Sequence, residues 1–378
     1  MELTKFPMGF WNAKNTGELD AKAVDDWDDC GMTLAMSPEY DPAVHGKQAL
    51  VDILDECQRR GIQVIVCDAR AHWRCYAQDR EGYRAVFQSA YEDFGRHPAV
   101  FGFHVGDEPY LKDIEDCAAT HRIQKEIAPE LTPYINHHPW KDCVYDWFKT
   151  DNYSAFMADF VRRSGAEVLS YDCYYQMNPE DAGIEMYYKN LWEYTAAARE
   201  AGVPLWTVLL SSGHFRYRCP SLDDFRWQIS TAAASGCKGL IWFLFYELGP
   251  DSPRMAPIDI FGERTQTYYD LRRAVRIFMK QFAQKLLPMK LDRVWHVHRS
   301  YGGYPLFKRC CDPTLLHVEA MHEIPLVVSV FKDEQGQEFL CVVNNSQKES
   351  TQVTLTLREG KKELWLAPGQ MELLRAEG

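Results

Sequence analysis

The chain has 378 residues, 46% of them hydrophobic and 13% aromatic, enough for one large core with a smaller domain beside it. Its 42 Lys and Arg against 54 Asp and Glu leave a formal charge of −12 with no basic run, which excludes nucleic acid as a natural partner. No apolar stretch approaches the ~20 residues of a membrane span, and no basic-then-apolar leader opens the chain, so a cytoplasmic protein without a membrane partner is expected.

Eight short apolar, β-rich segments begin near residues 6, 33, 63, 100, 132, 167, 204 and 239. They read "FPMGFW", "TLAMSPE", "QVIVCDAR", "VFGFHVGDE", "TPYINHH", "VLSYDCYY", "PLWTVLLSS" and "GLIWFLFYE". Between them lie stretches of helical period, such as "KQALVDILDECQRRG", where Leu50, Ile53, Leu54 and Cys57 share one stripe and Gly61 supplies a stop. Gly31, Gly165, Gly202 and Gly236 stand in equivalent places before later strands. Strands apolar on both faces, alternating with helices, predict a parallel sheet covered by helices. Eight units at this spacing predict an α/β fold, a closed (β/α)8 TIM barrel over residues 1–290. An open doubly wound sheet is the competing architecture, but the first strand runs into "FPMGFWNAKNTG" and carries no G-x-G-x-x-G.

Past Pro288 the pattern changes to short alternating runs joined by turn clusters such as "DEQGQ" and "REGKK". These predict a small C-terminal antiparallel β-sandwich over residues 291–378, packed directly on the barrel. Twelve cysteines are scattered through both parts without any C-x-x-C, and most read as small buried hydrophobes with reduced thiols.

In such a barrel the site lies at the C-terminal ends of the strands, so residues just past each apolar run are the candidates. In chain order these are Trp11 and Asn12, Ser37 and Glu39, Asp68 and Arg70, His104 with Asp107 and Glu108, Asn136 with His137 and His138, Asp172 with Tyr174 and Tyr175, Ser211 and Ser212 with His214, and finally Trp242, Tyr246 and Glu247; Trp206 lies within the seventh run. Carboxylates, amides and histidine bind vicinal hydroxyls, and flat aromatic faces suit the C–H side of a sugar ring. A small-molecule carbohydrate is therefore the expected partner. No phosphate loop is present, and self-association into a homo-oligomer stays open.

Glycosidic cleavage needs one protonated and one ionised carboxyl about the bond. Glu108 and Glu247 end the fourth and eighth runs, so in an eight-strand ring they start from facing walls. Asp107, beside Glu108, would hold that acid protonated near neutral pH through its own charge.

"GFHVGDEP", followed much later by "FRWQISTAAASGCKGLIWFLFYE", resembles the retaining (β/α)8 glycoside hydrolases of the clan A type. That resemblance implies Glu108 as acid/base, Glu247 as nucleophile, Trp242 or Trp206 in the sugar platform, and no cofactor. Two departures stand out: Asp107 replaces the usual Asn, and the seventh run ends without a carboxylate, whereas that clan draws its nucleophile from strand 7. "FHVGDE" is also similar to the strand end of substrate-assisted N-acetylhexosaminidases, in which Asp orients an attacking acetamido group and Glu is the acid. A non-catalytic carbohydrate-binding barrel is the third reading.

Plainer roles compete at each position. Asp107 and Glu108 could cap a helix, Glu247 could be a solvated loop residue or a partner of Arg254, and Asp172 could stand in for Glu247. His104 could be a core histidine, Asp68 and Arg70 a rim ion pair, and the tryptophans core aromatics. No H-E-x-x-H occurs, and adjacent His137 and His138 point to opposite faces of a strand, so no metal site is expected.

Overall fold

The computed structural model describes residues 4–178, 180–249 and 253–376. The eight predicted runs become strands β1 (Met8–Phe10), β2 (Leu34–Met36), β3 (Gln63–Val66), β4 (Val100–Asp107), β5 (Tyr134–Asn136), β6 (Leu169–Asp172), β7 (Leu205–Leu210) and β8 (Gly239–Phe243). All pair in parallel, in the orders β1-β8-β7-β6 and β2-β3-β4-β5. Two seams close the ring. Thr33 N–H donates to the Met8 carbonyl at 2.9 Å between β1 and β2, and His137 N–H to the Ser170 carbonyl at 2.9 Å between β5 and β6. The chain is thus a (β/α)8 barrel, with the helices on its outer face.

Helices form where the apolar stripe and the stop agree. In Lys47–Arg60, Leu50, Ile53, Leu54 and Cys57 are the buried residues, and Gly61 ends the helix at φ 69°, a left-handed conformation that a Cβ would disfavour. Inside the ring, alternate strand residues meet as one cluster of Leu34, Met36, Ile65, Phe101, Tyr134, Trp206, Val208 and Ile241. Trp206 fills the floor because Gly239 leaves room for it: a Cβ there would lie 2.6 Å from the indole.

The C-terminal runs form seven antiparallel strands: β9 (Lys290–Val297), β10 (Leu315–Ala320), β11 (Leu326–Lys332), β12 (Glu338–Asn344), β13 (Thr351–Leu357), β14 (Gly360–Leu366) and β15 (Met371–Arg375). They make two sheets, ordered β15-β12-β11-β9 and β10-β13-β14. The alternation of β11 explains why it is apolar throughout. Val328 and Val330 face the sandwich core, while Val327 and Phe331 join the barrel's outer core. Ser329, on that second face, donates to the Ala234 carbonyl at 2.6 Å. Asn345 ties the two parts, its Oδ1 accepting from Tyr188 Oη at 2.6 Å and from Trp227 Nε1 at 2.9 Å. All twelve cysteines are free thiols.

Candidate active site at the carboxyl ends of the strands

An ordinary strand sends successive side chains to opposite faces, so Asp107 and Glu108 would not normally share a pocket. Two local departures let them. The β4–β5 register shifts between His104 and Gly106, and Gly106 adopts φ 155° where a Cβ would lie 2.3 Å from the Trp73 ring. Glu108 then takes φ 44°, a left-handed conformation that costs a residue with a side chain about 1–3 kcal/mol, and its N–H donates to the Asn136 carbonyl at 2.9 Å. The bulge and the reversal turn both carboxyls toward the mouth of the barrel. Neither caps a helix: the next one, Ile114–Ile127, begins at Asp113.

Asn136 and His138, from the end of β5, organise the cluster. Asn136 Nδ2 donates to Asp107 Oδ1 at 3.1 Å and to Asp172 Oδ1 at 3.0 Å, so one buried amide bridges the ends of β4 and β6. His138 Nδ1 lies 3.1 Å from Glu108 Oε1, and its ring is packed by Tyr110 at 4.5 Å and Trp147 at 5.3 Å. Asp172 stands near enough for the Glu108 charge to act on its carboxyl. The adjacent His137 turns outward onto Phe160, at 4.6 Å, as strand alternation expects.

The charge states follow from these contacts. Burial works to raise the Glu108 pKa, but the His138 hydrogen bond, together with the charges of His138 and Lys141 and the Asp172 hydrogen bond, holds it below the usual carboxylate value. Burial, then the Glu108 charge, pushes Asp107 up to about 6 against the Asn136 hydrogen bond. Asp107 is an exposed residue of the rim that nonetheless has protein packed closely around its carboxyl. Burial and the charges of Glu108 and Asp107 drive Asp172 well above the usual range. The expected order is therefore reversed: Glu108 is the ionised member, and Asp172 holds the proton. The reason is His138, a donor thirty residues along the chain.

Aromatic rings form the opposite wall. Trp11 stands edge-on to His104 at 5.3 Å and 6.5 Å from Phe243, and Phe243 stacks on Tyr174 at 5.5 Å. His104 lies among Trp11, His72 and Tyr134 at the top of the barrel interior; burial lowers its pKa to about 3, so the ring is neutral.

Several expected site residues lie elsewhere. Trp242 packs on Phe225 in the outer layer, with Nε1 3.3 Å from Met8 Sδ, because its strand position faces the helices. Tyr246 is buried beside it, its Oη accepting from Trp27 Nε1 at 2.6 Å. Trp206 is the floor residue already described. Asn12 is fully buried and spans β1 and β2 through the Met36 carbonyl at 3.3 Å. Asp68 and Arg70 form a rim ion pair at 2.8 Å, with Asp93 a second partner of Arg70 at 2.8 Å. Each of these six is engaged by contacts within the wall, floor or rim of the barrel.

Glu247 sits four residues beyond β8, and its carboxylate accepts the Met255 N–H within its own loop. Glu108 is joined instead to His138 and Asp172. Strand β7 runs into Ser211 and Ser212, so no carboxylate follows it. Lys141 and Phe243 were not singled out as site residues by sequence, and His138 was one strand-end candidate among several. His138 alone carried a signal, since it alternates with outward-facing His137.

Among the described residues, no group of three or more His, Cys, Asp or Glu side chains is arranged to hold a metal ion, and no helix is long and apolar enough to cross a membrane. A cavity at the barrel floor, lined by Lys5, Leu34, Phe101 and Trp206 among others, contains no acid and lies at the wrong end of the strands for the site.

No protein-family profile and no curated protein matches the sequence. Solved structures do match the fold. The β-galactosidase from psychrophilic Marinomonas ef1 superposes with a TM-score of 0.56 at 10% identity, over 75% of this chain and 62% of that one. A family 39 glycoside hydrolase from Bacteroides cellulosilyticus WH2 gives 0.55 at 12% identity, over 98% and 81%. A glucosidase from Croceicoccus marinus gives 0.53 at 11%, over 99% and 81%. The fold these matches share with the chain is the (β/α)8 barrel, and the proteins named are glycoside hydrolases. The chain spans about three-fifths of the β-galactosidases it matches, 62% and 59%. It spans 81% of the glucosidase and 81% of the family 39 hydrolase.

Proposed function

We propose that the chain hydrolyses glycosides with the carboxyl cluster at the ends of β4 and β6. The observation that carries this reading is the meeting of Asp107, Glu108 and Asp172 on one wall of the mouth, with Asn136 bridging two of them at 3.1 and 3.0 Å. Cleavage needs a proton for the leaving oxygen, and the Glu108–Asp172 pair holds one at neutral pH because like charges in contact do not both ionise.

The second requirement is a nucleophile. β7 ends without an acid, and Glu247 is tied within its loop. The arrangement therefore favours a nucleophile supplied by the substrate. In a 2-acetamido glycoside the amide oxygen attacks the anomeric carbon as the C–O bond to the leaving group breaks and that oxygen takes the shared proton. Asp107 accepts the amide N–H. Water then opens the cyclic intermediate and returns a proton to the pair, giving a 2-acetamido sugar with retained configuration.

The test is a panel of 4-nitrophenyl glycosides with and without a 2-acetamido group. Turnover is expected on the acetamido members, with Glu108→Gln slower by about 10²–10⁴-fold and still folded. Wild-type rates in Glu108→Gln would remove the cluster from the chemistry. Turnover confined to plain hexosides would favour a two-carboxylate mechanism, and sugar binding without turnover a carbohydrate-binding barrel.

A further inference from the structure

A run of rings in tilted, edge-on and stacked contact leads from solvent toward the carboxyl cluster. Phe215, 76% exposed, lies 4.1 Å from the His214 ring. His214 lies 5.0 Å from Phe243 and 6.1 Å from Tyr174, and Phe243 stacks on Tyr174 at 5.5 Å with only 25° between the planes. Tyr174 is two residues beyond Asp172. The rings thus extend the aromatic wall outward, past the point where the reacting bond would sit.

The outermost ring is held firmly. Residues 214–217 form a tight turn, with His214 N–H donating to the Tyr217 carbonyl at 3.1 Å and Tyr217 N–H to the His214 carbonyl at 2.8 Å. Gly213 and Arg254 exchange N–H to carbonyl bonds at 2.7 and 2.9 Å, tying this turn to the loop after β8. Within the turn Phe215 takes φ 49°. A large apolar side chain held in water by a left-handed backbone is unfavourable twice over. Burial of the barrel core does not require it, since the ring lies outside that core.

We propose that Phe215 is the platform for the leaving group, and that the preferred substrates carry a flat leaving group, either an aryl ring or a second sugar presenting its C–H face. This rests on the hydrolase reading and deepens it by naming what lies across the scissile bond. Phe215 acts on binding of the leaving group and takes no part in proton transfer, so its effect falls on KM and leaves kcat nearly unchanged. Stacking of this kind corresponds to about a three- to tenfold change in affinity.

The test compares Phe215→Ala and Phe215→Tyr with the wild-type chain. Calorimetry on the Glu108→Gln background measures binding of 4-nitrophenyl, methyl and disaccharide 2-acetamido glycosides without turnover. Phe215→Ala is expected to weaken the aryl and disaccharide ligands by about three- to tenfold, leave the methyl glycoside unchanged, and be rescued by Phe215→Tyr. Loss of the aryl ligand alone would identify an aryl glycoside, and loss of both an oligosaccharide. Equal weakening of all three ligands, or none, overturns the assignment and leaves the hydrolase reading standing. A retained aryl preference in a chain that hydrolyses none of the ligands overturns the hydrolase reading alone. Absence of binding by every ligand overturns both.

Discussion

His138 Nδ1 lies 3.1 Å from Glu108 Oε1, and this contact decides which acid of the cluster is ionised. Both of its surroundings matter: the imidazole is buried among Tyr110, Trp147 and Phe148, whereas Glu108 opens to the mouth. Replacing the histidine with leucine keeps the apolar packing and removes the donor.

In His138→Leu, Glu108 should lose its main stabilising partner and titrate higher, toward or above the ordinary carboxylate range. The folded-state pKa of Glu108 is depressed, so its stabilisation is full above the ordinary carboxylate value and disappears as pH falls through the lower, native one. The variant should therefore show an acid limb of kcat/KM displaced upward and begin acid unfolding at higher pH. An unmoved limb would show that His138 packs without tuning.

Asn136→Leu should remove the bridge between Asp107 and Asp172. Each buried or hemmed-in carboxyl left without its donor costs about 1–3 kcal/mol, so urea unfolding at pH 7 should show a loss in that range. The Asp107 titration, already at about 6, should move higher still, and activity at pH 7 should fall more than at pH 8.

Asp107 itself should cost the fold stability. An unfolded aspartate titrates near ~3.9 and the native one at about 6, so the native chain binds more protons across that interval. Stability falls as pH rises through it, and the cost is constant above. Asp107→Asn should accordingly be more stable than wild type at pH 8 by about 1 kcal/mol after solvent screening, equal to it at pH 4, and inactive. Thermal melts at the two pH values provide the measurement.

Glu247→Gln should change kcat by less than about threefold, under 1 kcal/mol of barrier. The glutamine carbonyl can still accept the Met255 N–H. A drop as deep as that of Glu108→Gln would instead return Glu247 to the chemistry.

Asn345→Leu should leave Tyr188 Oη and Trp227 Nε1 without the acceptor they share. Two buried donors stranded together should cost about 2 kcal/mol or more. If the barrel and sandwich are one cooperative unit, urea unfolding should shift as a single transition. Two separated transitions would show that this contact does not couple them.

Most of the architecture was legible in the linear pattern. All eight barrel strands lie within the expected runs, the seven sandwich strands fall among the short runs past Pro288 with β14 starting inside the turn cluster "REGKK", and Gly31, Gly61, Gly165 and Gly202 end helices where the stops were expected. Periodicity and turn chemistry act over a few residues, so one chain read in order carries them. Asp107 and Glu108 were visible for the same reason, as an anomaly at the end of an apolar strand.

What tertiary structure decided was the direction of each side chain at the rim and the partner it met there. Trp242 and Tyr246 follow the same strand as Phe243, yet only Phe243 turns inward, because the pleat assigns faces once the ring has closed. The bulge at Gly106 and the reversal at Glu108 bring two consecutive acids into one pocket. Asp172 and His138 reach that pocket from other strands. A pKa depends on what stands within a few ångströms in space, and neighbours brought in by chain closure are absent from the local sequence.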